Sequence, residues 1–284
     1  VSKIKVVLPK GRLYRQVIDL LNLAGYGIAE DDRQYMPQAR DSEISVKIMK
    51  PQNIPQLLEM GSHDIGFAGY DWVLETGARV EAVLDLGFDP VRLVSAVPRE
   101  SLETLWNGRK LVVASEYQNI ATRYLVEKGV PYHLLRTFGA TEVFPPDDAD
   151  MIVDNSASGT TLQRHNMVVV DEILASTTWM LVSPRVLGDP WKKEKLGEMI
   201  TLLKGVLDAR DRVMLEMNVP ESSLDAIVAC LPCMRAPTVA PLYNGSGYAV
   251  KAAVRCSEAF RLIPRLKRMG AQDILETRIL KVVV

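Results

Sequence analysis

Cysteine is scarce: Cys230, Cys233 and Cys256 are the only three in 284 residues. An odd, small number in a chain of this length makes no disulfide framework, and all three are expected to be reduced. Cys230 and Cys233 formally make a C-x-x-C pair, but His63, His133 and His165 lie far away in sequence, not at zinc-site spacing. The pair follows an apolar-periodic segment and encloses Pro232, so both cysteines read as helix-end residues. Long apolar runs are missing as well. Stretches such as "KLVVAS" and "NMVVV" are strand-sized and far short of a membrane span. Basic blocks are also lacking: 34 Lys and Arg stand against 35 Asp and Glu, scattered and without aromatic interleaving. That balance gives no reason to expect nucleic acid or an anionic membrane as partner. The opening stretch "VSKIKVVLPKGR" sets basic residues inside an apolar run that soon meets Pro9 and Gly11, so a secretory signal is not expected. The expected location is cytoplasmic.

What is present is alternation. "KIKVVLP" reads as a buried strand, followed by a helix with Leu13, Val17, Leu20 and Leu21 at helical spacing and Gly25 as its stop. "EISVKIMK" is a second strand, "PQNIPQLLEMG" a short helix, and "HDIGFAGYDWVLETG" a strand turning into another helix. After "DLGFDP" the pattern restarts with "VRLVSAVP", then "KLVVASE", a helix over 119–128, "YHLLRTFG" and "DMIVD". "MVVVDEIL" and "TWMLVSP" follow, and then a long helix with Leu196, Met199, Ile200, Leu203 and Leu207 on one face. From about residue 212 the order is strand, helix, strand, strand, helix, strand, the ferredoxin-like order. Ser257 is the expected N-cap of the last helix and Gly270 its stop. The expected division is a first α/β lobe of 1–90 plus 184–211, a second α/β lobe of 91–183, and a ferredoxin-like domain of 212–284.

Three stretches carry candidate chemistry. In "DMIVDNSASGTTL" a glycine flanked by hydroxyl residues follows an acid at a strand's carboxyl end. Backbone N–H groups around Gly159, with Ser158, Thr160 and Thr161, make a phosphate cradle, and Asp154 would accept from sugar hydroxyls or help place a metal. A plain helix N-cap by Ser158 or Thr160 is the alternative reading. In "LPKGRL", Lys10, Gly11 and Arg12 put two cations at a helix N-terminus, where the dipole prefers acids; either a bound anion compensates them or they are solvated. In "DIGFAGYD", Gly66 and Gly69 permit close backbone approach to a ligand, or tight packing.

"LPKGRL", "DIGFAGYD", "VASEYQNIATRYL", "ADMIVDNSASGTTL" and "APTVAPL", in this order, resemble the ATP phosphoribosyltransferases that open histidine biosynthesis, in the long form with a regulatory C-terminal domain. The resemblance implies a two-lobed catalytic core like periplasmic binding proteins, with the active site in the cleft, plus the ferredoxin-like regulatory domain. It implies ATP and 5-phosphoribosyl 1-pyrophosphate as substrates, Mg2+ as cofactor, histidine as feedback inhibitor, and a homo-oligomer, dimer or hexamer. Carried over by position, Lys10, Arg12 and Asp154 would be the catalytic residues. Ser158, Gly159, Thr160, Thr161 and Leu162 would hold the 5-phosphate, Glu142 would lie near the ribose, and Gly11, Gly69 and Lys50 would face substrate. Lys50 stands where the family usually has an arginine. Asn218, Thr238, Ala271 and Asp273 would line the histidine pocket. Adenine N1 already offers a lone pair, so the absence of a catalytic His or Cys is consistent with this chemistry.

Overall fold

The structure is a computed structural model and describes residues 2–29, 35–105, 107–157, 159–243 and 245–284. The chain divides into two compact units, Val1–Asp19 with Gly27–Leu196, and Leu20–Tyr26 with Gly197–Val284.

The elements run β1 (Ile4–Pro9), α1 (Arg12–Ala24), β2 (Ile44–Met49), α2 (Ile54–Glu59), β3 (Ile65–Gly69), α3 (Tyr70–Thr76) and β4 (Glu81–Pro98). They continue with β5 (Leu111–Ser115), α4 (Gln118–Glu127), β6 (Tyr132–Arg136), β7 (Met151–Ser156), α5 (Thr160–Arg164), β8 (Met167–Val182), α6 (Pro184–Leu187) and α7 (Pro190–Ala209). The eight strands form one sheet in the order β2-β1-β3-β8-β4-β7-β5-β6. β1, β2 and β3 are mutually parallel, as are β7, β5 and β6. Between these two parallel sets run the long strands β4 and β8, antiparallel to each other and to their neighbours. One end of β8 pairs with β3 and one end of β4 with β7, so the two long strands tie two α/β lobes together.

Two expectations change here. "DLGFDP" does not end one pattern and start another; β4 passes through it. The pairing with β8 shifts register on both sides of Phe88, with Gly87 and Asp89 at positive φ, so the strand survives by bulging. "MVVVDEIL" and "TWMLVSP" are likewise one strand, β8. Each lobe has its own core. Val7, Ile54, Leu58, Ala68 and Leu181 pack in the first, and Leu93, Leu111, Val113, Ile120, Leu125 and Val153 in the second.

The second unit carries β9 (Arg212–Val219), α8 (Leu224–Cys230), β10 (Thr238–Pro241), β11 (Tyr248–Arg255), α9 (Cys256–Arg268) and β12 (Gln272–Arg278). Its sheet order, β10-β11-β9-β12, is antiparallel throughout, the ferredoxin-like arrangement. β9 alternates strictly, burying Val213, Leu215, Met217 and Val219 against Val250, Ala252, Val254, Ile227, Leu262 and Leu266. Ser257 is not the cap of α9: the helix begins at Cys256, and Arg255, two residues before Ser257, stands at the cap without a side-chain hydrogen bond. Gly270 does stop the helix, at φ +103°. All three cysteines are free, and Cys230 is the last residue of α8. Among the described residues no helix is long and apolar enough to cross a membrane. The fold is therefore α/β, a two-lobed core of the periplasmic-binding-protein type followed by a ferredoxin-like α+β domain.

Candidate active site

β7 ends at the mouth of a cavity of about 400 Å³ whose wall includes Asp154, Glu142, Gly159, Thr161 and Leu162. Met151, Ile152 and Val153 are buried, which anchors the strand and delivers Asp154 to its carboxyl end. Burial pushes the Asp154 carboxyl up to about 6, assisted by the charges of Glu142 and Glu116 and opposed by hydrogen bonds from Asn155 N–H and Thr141. The Asn155 N–H sits 2.7 Å from Asp154 Oδ1. After β7 the chain turns through Gly159 at φ +74°, a left-handed conformation that disfavours any side chain, and α5 starts at Thr160. Gly159 is itself the cap and has no side chain to offer, so Thr160 does not occupy the capping position. Ser158 lies outside the described residues. Leu162 packs with Val94, Ala114 and Ile152, which pins α5 and hence the turn above it.

A second cavity of about 180 Å³ has Lys10, Arg12, Gly69 and Trp72 in its wall. Arg12, Glu116 and Asn155 line both cavities. The two cations of "LPKGRL" have partners within the chain. Arg12 forks onto Asp89 Oδ2, with Nη2 at 2.6 Å and Nε at 3.1 Å. Lys10 Nζ donates to Tyr35 OH at 2.9 Å and lies over its ring. These partners add to the bound anion or solvent expected from the sequence, and it is the bulge in β4 that brings Asp89 to Arg12. Gly11, between the two, has φ +90°. Gly66 is a packing glycine, since a Cβ there would meet Ile54 and Val7, whereas a Cβ on Gly69 would meet the Asp71 carboxylate at the cavity wall. Lys50 is exposed beside Pro51 and Gln52, which line the second cavity. Lys50 and Thr160 are themselves in neither wall among the described residues.

In the wall of the second cavity begins a largely buried polar network that local sequence patterns did not reveal. Asp71, in the first turn of α3, accepts Ser176 Oγ–H at 2.7 Å and Tyr117 O–H at 2.8 Å. Tyr117 is 1% exposed and stacks on Trp72 at 4.5 Å between centroids. Burial and the Asp71 charge raise its phenol far above the ordinary value, so it stays a donor. Asn155 Nδ2 donates to the same phenol oxygen at 3.3 Å. Glu75, at the other end of α3, accepts the backbone N–H groups of Asn119 and Ile120 and so caps α4 from another helix. An acid in the first turn of a helix and a tyrosine directly before one were the available signals.

Of the four residues assigned to a regulatory pocket, Asn218, Ala271 and Asp273 lie close together in the second unit and Thr238 lies apart. Asn218 Nδ2 donates to Asp273 Oδ2 at 2.9 Å, Asp273 having φ +47°. Ala271 is 1% exposed and belongs to the hydrophobic core. Thr238, exposed on β10, pairs with Lys251 of β11, which pairs with Glu216 rather than with Asn218. Thr238 thus stands two strands away from the Asn218–Asp273 pair and two residues out of its row.

The sequence profile of the ATP phosphoribosyltransferase family matches residues 50–205, and the profile of its C-terminal domain matches residues 209–281. An ATP phosphoribosyltransferase of Chlorobium phaeovibrioides is 38% identical over 99% of this chain and 97% of its own length. One of Pelotomaculum thermopropionicum is 38% identical over 99% of both. Among solved structures, an ATP phosphoribosyl transferase (HisG:HisZ) complex from Thermotoga maritima matches with a TM-score of 0.65 and 26% identity, covering 72% of this chain and 98% of that one. With two family profiles covering residues 50–205 and 209–281 and relatives 38% identical over 99% of its length, the chain belongs to the ATP phosphoribosyltransferase family.

Proposed function

We propose that this protein joins ATP to 5-phosphoribosyl 1-pyrophosphate, giving N1-(5-phosphoribosyl)-ATP and pyrophosphate, the first step of histidine biosynthesis. The observation that carries the reading is one cleft with two joined cavities of different chemistry. One holds Asp154 and the Gly159 turn, the other holds Lys10, and Arg12 lines both.

In the first cavity Asp154 accepts from the ribose hydroxyls, and the turn from Gly159 to Leu162 presents backbone N–H groups to the 5-phosphate. In the second, Lys10 and Arg12 meet the phosphates of the nucleotide or the departing pyrophosphate, Arg12 being held ready by Asp89. The adenine N1 lone pair forms the bond to ribose C1, and the C1–O bond breaks with its electron pair going to pyrophosphate. No side chain has to remove a proton before N1 attacks. Alignment of the two substrates and fixed charges around the leaving group are therefore the levers. The Mg2+ that such chemistry uses does not fit a protein-built cage here: among the described residues no three His, Cys, Asp or Glu side chains gather as a metal site. It would arrive on the substrates' phosphate oxygens.

The assigned division is 1–90 with 184–211 and 91–183 as the two catalytic lobes, and 212–284 as the domain that binds histidine as inhibitor. A cytoplasmic homo-oligomer, dimer or hexamer, completes the reading. The test is pyrophosphate release from purified protein with Mg2+, coupled to pyrophosphatase, each substrate being omitted in turn. Release that needs both substrates supports the proposal. Release from either one alone, or none from a folded protein that binds the donor, contradicts it.

A further inference from the structure

The two cavities meet at Arg12, Glu116 and Asn155. Under the function proposed above, on which this inference rests, ribose C1 approaches from one cavity and adenine N1 from the other, so N1 comes to that junction. The exocyclic N6 amine sits on the carbon next to N1 and arrives there with it.

Hydrogen-bond direction at the junction follows from one buried group. Asp71 is 4% exposed, and its carboxylate only accepts. Tyr117 has a single O–H hydrogen, committed to Asp71 Oδ2 at 2.8 Å. Its oxygen can therefore serve Asn155 only as an acceptor. The Asn155 group 3.3 Å away is therefore the NH2. That leaves Asn155, an exposed residue, with its carbonyl Oδ1 to present to the cleft. Gln52 obeys the same logic, since only an N–H can face Glu116 Oε1, here at 3.2 Å. Glu116 keeps further lone pairs as acceptors. The third residue at the junction, Arg12, has its guanidinium turned onto Asp89.

We propose that Asn155 Oδ1 accepts a hydrogen bond from the N6 amine of the adenine, with Glu116 as second acceptor, and that Tyr117 and Asp71 are positioning residues that fix Asn155 in this polarity. A purine with oxygen at C6 sets an acceptor against these acceptors, and one with only hydrogen there leaves them unmet. The same contact strengthens during transfer. As N1 gives its pair to ribose C1, the purine gains positive charge shared with N6, whose N–H groups become better donors.

The test uses equilibrium binding by calorimetry with no phosphoribosyl donor present, so it is read separately from transfer. The ligands are ATP, purine riboside 5′-triphosphate, which lacks the amine, and inosine 5′-triphosphate. The parent protein is expected to bind ATP about ten- to a hundredfold more tightly than the amine-free analogue, with the inosine nucleotide weakest. Tyr117→Phe keeps the ring on Trp72 and frees the Asn155 amide to turn; it is expected to bring ATP and the amine-free analogue within about threefold of each other. Asn155→Leu is expected to do the same. Tyr117→Phe decides alone if Asn155→Leu does not fold. A parent ratio near one, or a ratio that survives Tyr117→Phe, overturns the proposal whether or not the protein catalyses transfer. Absence of transfer with the ratios as expected overturns the transferase reading instead.

Discussion

Glu75 accepts the backbone N–H of Ile120 at 3.0 Å, a carboxylate on α3 of one lobe closing the first turn of α4 in the other. Its oxygens also take the Asn119 N–H at 3.0 and 3.1 Å, and Asn119 Nδ2 returns a bond to the Glu75 carbonyl at 2.7 Å. The helix end supplies partial positive charge and unpaired donors, and the acid satisfies both needs. Glu75→Ala is expected to destabilise the protein by about 1–3 kcal/mol, and Glu75→Gln, which keeps an acceptor, by less. Urea midpoints of the two variants check the ranking; equal losses would mean the contact is only packing.

Gly69→Ala is expected to be costly because its Cβ would meet Asp71 Oδ1, the oxygen that Ser176 uses. Displacing that carboxylate disturbs the Tyr117 bond as well, for a loss of about 2 kcal/mol or more. Gly77→Ala is the control, with nothing near its Cβ and only a positive φ of 63° to strain. It should lose about 1 kcal/mol. Thermal denaturation of the pair would separate clash from backbone strain.

Asp154 keeps its proton more tightly in the folded protein than in the unfolded chain, where the ordinary value is 3.8 against about 6 folded. The sign follows. The contribution of this group to stability is greatest below 3.8, is lost as pH rises to about 6, and above that remains a penalty of at most roughly 3 kcal/mol. Asp154→Asn is therefore expected to make the ligand-free protein more stable at pH 7, by about 1–3 kcal/mol, while losing transfer. The gain should vanish near pH 4. Melting curves across this pH range check it, and a variant less stable at pH 7 would refute it.

Gly159→Ala introduces a Cβ at φ +74° into open space, so strain rather than collision is the effect, about 1 kcal/mol. Combined with Thr161→Ala it is expected to raise KM for the phosphoribosyl donor at least tenfold, and KM for ATP far less. Equal rises for both substrates would remove the cradle from the first cavity.

Local pattern reached most of the elements because each strand or helix repeats its own period. β1 and α1 are legible in "KIKVVLPKGRLYRQVIDLL", and the alternation of β9 forecasts its buried face. "DLGFDP" misled for a physical reason: Gly87, Asp89 and Pro90 carry turn chemistry, yet cross-strand bonding to β8 holds the strand through a bulge. In the candidate site, Asp154 and the Gly159 turn were legible because acid, turn and helix start are contiguous. The network behind them was not. Tyr117 finds Asp71 at a separation of 46 residues and Ser176 finds it at 105, and no local period encodes such pairs. Ser257 failed as a cap because β11 runs directly into α9 and starts the helix two residues early.

The most direct measurement is the mass and connectivity of what the protein makes from ATP, 5-phosphoribosyl 1-pyrophosphate and Mg2+. One new species containing both the adenosine triphosphate and the phosphoribosyl group is expected, joined through N1 in the nuclear magnetic resonance spectrum, with pyrophosphate in equal amount. Separate hydrolysis of either substrate, a bond at another atom, or unchanged starting material from a folded protein would contradict it.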